Sequence, residues 1–352
     1  MNYIGSKLSI LNYIENTIND FATIENENIT FCDIFAGTSS VGKHFKRIGY
    51  NIISNDIQYY SYVNAKHYIE NNQNITFNVL KQNRIEDVFE YLNNLRGKKG
   101  FIYQNYTTSG TKNQEYERKY FTEENAQKID SIRSKIEEWK KENLIDESEY
   151  YYLLTCLLEA SDKVANTASV YEAFLKDIKK SANKTLELKP VETLIEEGDK
   201  TYRVENKDAN QLIREIAGDI LYMDPPYNTR KYDTNYHMLE TIALYDNPKI
   251  KGKTGVREET SKKSRYCIKR QVEEAFEDLI QNANFRYIFL SYNDEGIIPL
   301  DRIREIMSNY GDYQVYERQH KRFKADNNRE YTKNTTIEYI HCLRKNMEGN
   351  NE

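Results

Sequence analysis

The sequence is organised around the apolar run Asp219-Ile220-Leu221-Tyr222-Met223 and the tetrapeptide that closes it, Asp224-Pro225-Pro226-Tyr227. A short apolar run ended by two prolines reads as a buried strand that stops abruptly. Each proline fixes its own φ, lacks an N–H and biases the residue before it away from helix, so the turn is stiff. A stiff turn at the carboxyl end of a central strand lies where open α/β sheets bind their ligands. It offers the Asp224 carboxylate and the Pro225 and Pro226 carbonyls as acceptors, and Tyr227 as a flat stacking surface. That set suits a planar amine, whose nitrogen lone pair is delocalised into its ring until acceptors draw the N–H groups out of plane. No strong base is needed, because the nitrogen becomes acidic once alkylated. Taken alone, the same residues equally describe a strand-terminating turn with a core tyrosine.

At 352 residues the chain can hold one large α/β domain with a smaller one inserted or appended. No stretch approaches the apolar length of a membrane span, and the amino terminus lacks the basic-then-apolar pattern of a signal peptide, so the expectation is a soluble, cytoplasmic protein with no membrane partner. Cys32, Cys156, Cys267 and Cys342 are scattered with no C-x-x-C pair and no histidine at ligand spacing, which supports neither a disulfide framework nor a metal site. The net charge of −5 argues against an all-over nucleic-acid-binding surface. Its distribution says more. From 249 to 270 there are nine Lys/Arg against two acids, and a second basic cluster gathers Arg318, Lys321, Arg322, Lys324, Arg329 and Lys333.

In chain order, Tyr3-Ile4-Gly5-Ser6-Lys7 leads into Leu8, Ile10, Leu11, Ile14 and Ile18, spaced as one helical face. Lys7 then falls in the first turn, where a cation opposes the helix dipole, so it is compensated by an anionic or carboxylate ligand or else is a solvated surface lysine. A strand at 29–35 is followed by Ala36-Gly37-Thr38-Ser39-Ser40-Val41-Gly42 and a helix at 43–48, the first βα unit of a dinucleotide-type fold. The glycine turn fits a phosphate-binding P-loop except at its last position, where His44 replaces the Ser or Thr that holds magnesium. It also lacks the spacing of a pyrophosphate-binding turn. What it does provide is close backbone approach to a ligand, with Asp33 at the strand end able to accept from an ammonium group. Strand 51–55 ends in Asp56, at the position that hydrogen-bonds ribose hydroxyls in such folds.

Helices are expected at 59–70, 85–95, 123–139 and 150–165, with a loop at 108–111 and a connector at 182–190. The segment 97–201 is too long for an ordinary crossover and reads as a mainly helical insertion. The sheet resumes at 202–204. Asp208 either caps the helix from Ala209 or meets a ligand at the strand ends, and both can hold. A polar loop follows Tyr227, then a helix at 236–245. The basic stretch 249–270 has little apolar periodicity and is expected to lack structure of its own until an anion orders it. Strands at 286–292, 313–318 and 335–343 and a helix at 299–307 complete the chain, the last two strands forming an antiparallel hairpin at the sheet edge.

The Asp224-Pro225-Pro226-Tyr227 turn, the Asp33-Ile34-Phe35-Ala36-Gly37 turn and the amino-terminal Tyr3-Ile4-Gly5-Ser6-Lys7, in that arrangement, resemble the S-adenosylmethionine-dependent DNA adenine-N6 methyltransferases of the Dam-like class. The resemblance covers most of the chain outside 97–201. It implies a Rossmann-like α/β methyltransferase sheet with a terminal antiparallel hairpin, built from 1–96 and 202–352, and a helical target-recognition insertion at 97–201. It implies S-adenosyl-L-methionine as cofactor. Tyr3 and Lys7 would lie beside the methionine moiety, Asp33, Phe35, Ala36 and Gly37 would line the pocket, Asp56 with Ile57 would take the ribose, and Asp208 with Ala209 the cofactor's adenine. Asp224 and the Pro225 carbonyl would hold the target N6, followed by Pro226, and Tyr227 would stack on the flipped base. Many members carry a second glycine where this chain has Ser39.

Such an enzyme must extrude its target base from duplex DNA at a cost of a few kcal/mol. Phosphate contacts position the protein and base contacts specify the site. Arg230, Lys262, Lys263, Arg265, Lys321, Arg322 and Lys324 are the candidates for phosphate contact, and a separate restriction endonuclease is an implied partner. Competing readings keep the chemistry on another planar amine: cytosine N4, which more often carries Ser in place of Asp224, RNA adenine, or protein glutamine, which carries Asn. A P-loop nucleotide hydrolase leaves 224–227 unexplained, and a non-catalytic DNA-binding subunit leaves the intact Asp224, Tyr227 and Gly37 without purpose.

Overall fold

Among the described residues the apolar runs form strands β1 (Thr30–Asp33), β2 (Asn51–Asn55), β3 (Tyr202–Glu205), β4 (Ala217–Met223), β5 (Ile250–Lys251), β6 (Val256–Arg257), β7 (Asn284–Asn293), β8 (Gly311–Lys321) and β9 (Thr335–Lys345). The structure, a computed structural model, describes residues 7–24, 28–168, 170–228, 232–258, 264–321 and 335–346. These divide into a sheet unit, from 7–65, 196–228 and 264–346, and a helical unit, from 66–195 and 232–258.

The sheet unit holds seven strands in the order β3-β2-β1-β4-β7-β9-β8. Strands β1, β2, β3, β4 and β7 run parallel, whereas β9 is antiparallel to both β7 and β8. This is the Rossmann-like methyltransferase arrangement with its terminal antiparallel hairpin. Strand β4 is buried on both faces, as parallel strands between helical layers are. Leu221 and Met223 face a core with Ile288, Leu290, Phe276, Leu279 and Ile306. Tyr222 faces the other side and stacks on Phe31, which stacks in turn on Phe45 at 4.0 Å between ring centroids. Burying side chains of this size contributes roughly 1.5–3 kcal/mol each. Gly218 permits close packing here, since a Cβ at that position would come within 2.7 Å of the Phe285 ring and 2.9 Å of Thr30.

The parallel winding brings the carboxyl ends of β1, β2, β3 and β4 to one edge. The register extends this edge to the hairpin: Met223 pairs with Leu290 on β7, and Asn293 pairs with Glu338 on β9. Because β9 runs the other way, it is the amino-terminal end of β9 that reaches this edge.

In the helical unit, Glu123–Lys141 and Glu147–Val164 pack together. Thr122 caps the first, and Asp146 with Glu149 forms a full capping box on the second. Of the segment 97–201, residues 97–195 fall in this unit, with 66–96 and 232–258, and 196–201 fall in the sheet unit. Among the described residues no helix is long and apolar enough to cross a membrane.

Several local expectations are corrected. Leu8, placed on a buried helical face, is 65% exposed, because Lys7–Ile10 is a 3-10 turn and the regular helix begins at Leu11. The stretch 59–70 is α-helix only over Tyr59–Ala65 and continues as the π-helical turn Lys66–Glu70. Helix 85–95 shortens to Val88–Asn93, capped by Asp87, and a helix not expected lies at Asn78–Gln82. Residues 108–111 form a helical turn, Thr108–Thr111, capped by Thr107. The basic stretch 249–270 has structure of its own where described. Strands β5 and β6 pair there, and the Arg118 guanidinium donates to the Gly252 and Lys253 carbonyls at 3.0 and 3.2 Å while Tyr106 donates to that of Gly255 at 2.8 Å. Farther on, Arg265–Cys267 is a 3-10 turn.

Candidate active site

The strand ends carry the acidic residues read from the sequence. Asp33, the last residue of β1, is 1% exposed. The Gly42 amide donates to its Oδ2 at 3.3 Å, and its Oδ1 has no hydrogen-bond partner among the described residues. Burial, with the Asp224 and Asp56 carboxylates adding repulsion, pushes its pKa up to about 8. A buried carboxyl with an open acceptor and neighbouring negative charge is a place for a cationic donor group.

The glycine turn is built from backbone. Gly37 has φ of +51°, a conformation suited to glycine, and donates its amide to Asp56 Oδ2 at 2.8 Å. Gln58 donates to the other Asp56 oxygen at 2.8 Å. Burial raises Asp56 to about 6 despite these two donors. Ser39 also sits at positive φ, +60°, and its buried hydroxyl has no partner among the described residues.

Asn55 was not singled out from the sequence, yet it joins three strand ends. Its amide donates to the Ile34 and Lys207 carbonyls at 3.0 and 3.2 Å, and its oxygen accepts from the Lys207 N–H at 3.0 Å. Asp208 caps its helix by accepting from Asn210 at 3.0 Å, Ala209 is buried in the core, and Phe35 meets Tyr266 edge-on at 5.0 Å. Ala36 is buried and Ile57 half-buried beside Asp56.

At the end of β4 the Asp224 side chain is 18% exposed. Lys7 Nζ stands 3.2 Å from Asp224 Oδ1 and 2.7 Å from Glu338 Oε1. Lys7 is thus neither a solvated surface lysine nor dependent on an outside ligand: a pair of carboxylates from its own chain compensates it. Burial opposes the Lys7 charge, but these two carboxylates outweigh it and hold the ammonium well above the usual lysine value. Burial pushes Asp224 up to about 6, with Lys7 opposing and Glu338 adding to the rise. Tyr227 lies under Lys7, 5.8 Å from Nζ to its ring centroid, and packs edge-on against Tyr292 at 5.9 Å. Its carbonyl accepts from Ile297 at 2.8 Å, while Tyr292 is pinned by the Ile298 amide at 3.2 Å. Burial pushes the Tyr227 hydroxyl up to about 12, so the ring stays neutral.

The structure therefore gathers Lys7, Asp33, Phe35, Ala36, Gly37, Asp56, Ile57, Asp208, Ala209 and Asp224 to Tyr227 along one sheet edge. Arg265 is part-exposed and 3.9 Å from Asp278. Lys321 ends β8. Tyr3, Arg230, Lys262, Lys263, Arg322 and Lys324 lie outside the described residues. Among the described residues no group of three or more His, Cys, Asp or Glu is set to hold a metal ion.

The model of the family described as D12 class N6 adenine-specific DNA methyltransferase matches residues 3–306. The chain belongs to that family. It is 49% identical to the type II methyltransferase M.NlaIII of Neisseria lactamica, over 98% of this chain and 99% of the relative. It is 40% identical to the type II methyltransferase M.FokI of Planomicrobium okeanokoites, covering 99% of this chain and 53% of that longer protein. M.CviAII of Paramecium bursaria Chlorella virus 1 is 36% identical over 92% of each. The N6 adenine-specific DNA methyltransferase transfers a methyl group to the exocyclic amine of adenine in DNA. Of the planar amines the strand-end turn can accommodate, this is the one the family acts on, and the P-loop hydrolase and non-catalytic readings fall away.

Proposed function

We propose that the methyl donor is S-adenosyl-L-methionine, held along the ends of β1 to β4, and that the target adenine is turned out of duplex DNA to lie against 224–227. The observation that carries the reading is Asp33: a buried carboxyl with one oxygen unpartnered among the described residues, at the end of the strand that leads into a positive-φ glycine turn. An ammonium such as the donor's amino-acid nitrogen supplies the missing hydrogen bond and the compensating charge. Gly37 lets backbone approach the ligand, the Asp56 oxygens retain lone pairs for ribose hydroxyls, and Asp208 at its helix cap accepts from an adenine amino group. Phe35, Ala36, Ile57 and Ala209 supply apolar walls, and Tyr3 joins Lys7 on the methionine side.

The donor supplies an electrophilic methyl group on a sulfonium. The chain's part is positioning. Asp224 and the Pro225 carbonyl accept the two N–H groups of the target N6, which turns its lone pair out of the ring plane. Pro226 keeps the turn stiff, and Tyr227, backed by Tyr292, stacks on the extruded base. The proton released after transfer is acidic enough to leave through Asp224 to water. Arg230, Lys262, Lys263, Arg265, Lys321, Arg322 and Lys324 contact phosphates, and the insertion at 97–201 reads the target. In this reading the enzyme acts in the cytoplasm, as the modifying companion of a separate restriction endonuclease.

The test is calorimetric titration of the chain with S-adenosylmethionine. Wild type is expected to bind, with Asp33→Asn and Asp56→Ala each losing tenfold or more. Unchanged binding in both variants overturns the site.

A further inference from the structure

One buried carboxylate at the sheet edge has no part in the scheme above. Glu338 is the fourth residue of β9, 7% exposed, and its Oε1 accepts two hydrogen bonds: from Lys7 Nζ at 2.7 Å and from Ser291 Oγ at 2.6 Å. Lys7 is 6% exposed and Ser291 fully buried. The same ammonium stands 3.2 Å from Asp224 Oδ1, where it acts first through its charge and only secondarily as a hydrogen-bond donor. An ammonium carries three N–H groups and, flanked by two carboxylates, can turn its best hydrogen bond to either. Here the best one is directed to Glu338. The Lys7 charge acts on Asp224 while its shorter hydrogen bond goes to Glu338.

We propose that Glu338 is a positioning residue that takes the Lys7 hydrogen bond, so that the cation stays beside Asp224 without closing the acceptor the target amine needs. The inference rests on the assignment of Asp224 as the acceptor for adenine N6. It follows from topology. The antiparallel β9 alone brings an amino-terminal strand end to an edge otherwise made of carboxyl ends, and its pairing with Asn293 sets Glu338 at that level. Ser291, at the adjacent level of β7, anchors the carboxylate with a hydroxyl donor. Among the described residues, the groups facing Asp224 are Lys7, Glu338, the Asp33 carboxyl and the Tyr222 and Tyr227 hydroxyls.

Glu338→Gln keeps the shape and removes the charge. Two consequences follow, both from Lys7 transferring its hydrogen bond to Asp224. The acceptor becomes occupied and must be uncovered for each turnover, so kcat falls about tenfold to a hundredfold while KM for DNA and donor changes little. Asp224 also loses a repelling carboxylate and gains a donor, so its ionisation moves to lower pH by roughly one unit. The acid limb of the kcat profile then moves down even as the plateau drops, a combination that loose packing does not produce.

The experiment is carboxyl 13C NMR titration of the full chain without substrate, in wild type, Glu338→Gln and Ser291→Ala, with the Asp224 signal assigned by its loss in Asp224→Asn. Steady-state kinetics across pH on the same variants accompany it. The expected result is an Asp224 midpoint near 6 in wild type, lower in Glu338→Gln and shifted the same way by a smaller step in Ser291→Ala, with kcat reduced in that order. An Asp224 midpoint unmoved in both variants, or an unchanged kcat with only a lower melting temperature, overturns the proposal. The titration needs no turnover, so it decides the role of Glu338 separately from whether Asp224 serves adenine.

Discussion

Asp33→Asn should make the ligand-free protein more stable and unable to bind its donor, and the size of the first effect should depend on pH in a defined way. The folded-state pKa of Asp33 is raised from 3.8 to about 8. Between those values the unfolded chain has released the proton and the native state still holds it. Stability contributed by this group is therefore fully present below pH 3.8 and is lost as pH rises toward 8, by about 1.36 kcal/mol for each pH unit. Across the two units from pH 5.5 to 7.5 the loss is about 2–3 kcal/mol. Asparagine does not titrate, so the difference in unfolding free energy between variant and wild type should widen by that amount. Asp56 and Asp224, both raised to about 6, remain in both proteins and largely cancel. The assay is urea unfolding at pH 5.5, 6.5 and 7.5 without donor, with slopes compared to confirm that only the midpoint moves. A difference that stays constant over that range would refute the account of a buried, charge-starved carboxyl at the end of β1.

Three other changes follow from the same geometry. Ser39→Gly removes a left-handed residue and an unpartnered buried hydroxyl, and should stabilise the chain by about 1 kcal/mol in thermal unfolding without weakening donor binding. Arg133, 3% exposed, donates to the Ile242 and Ala243 carbonyls at 3.1 Å and pairs with Glu137 at 2.9 Å. Arg133→Ala strips the end of helix His237–Leu244 of its cation and should cost about 3–5 kcal/mol by chemical denaturation. Tyr227→Phe should keep activity within a few-fold, since its hydroxyl stays neutral, whereas Tyr227→Ala should lose about 1–3 kcal/mol of base stacking, read as kcat/KM on duplex substrate.

Much of the site was legible because it depends on strand ends. Asp33, Asp56 and Asp224 each close an apolar run, and a parallel winding sends all such ends to one edge, so their convergence follows from order alone. Asp208 was read with two meanings, and its cap hydrogen bond is one of them. Glu338 was not legible. It lies four residues into an antiparallel strand, and its level at the edge is set by pairing with Asn293, a register that no local pattern encodes. Asn55 hid for a related reason: a polar residue at the end of a strand looks like a turn, and only the arrival of 207 beside it supplies two of its amide's three hydrogen bonds. The hairpin β5–β6 was misread as unstructured because its stabilisation comes from Arg118 and Tyr106, more than 130 residues earlier, acting on backbone carbonyls. The helix at Asn78–Gln82 begins after Phe77 at φ of +53°, a start that carries no capping side chain to read.

In the proposed function, methyl transfer to adenine N6 is organised around Asp224 as acceptor. The direct measurement is transfer of label from S-adenosylmethionine to unmethylated duplex DNA rich in sequence variety, with nucleoside analysis of the product, for wild type and Asp224→Ala. The expected result is N6-methyladenine from wild type and a loss of at least a thousandfold in the variant, with donor binding retained. Label on another nucleoside, or N6-methyladenine formed by Asp224→Ala at a rate near that of wild type, would contradict it.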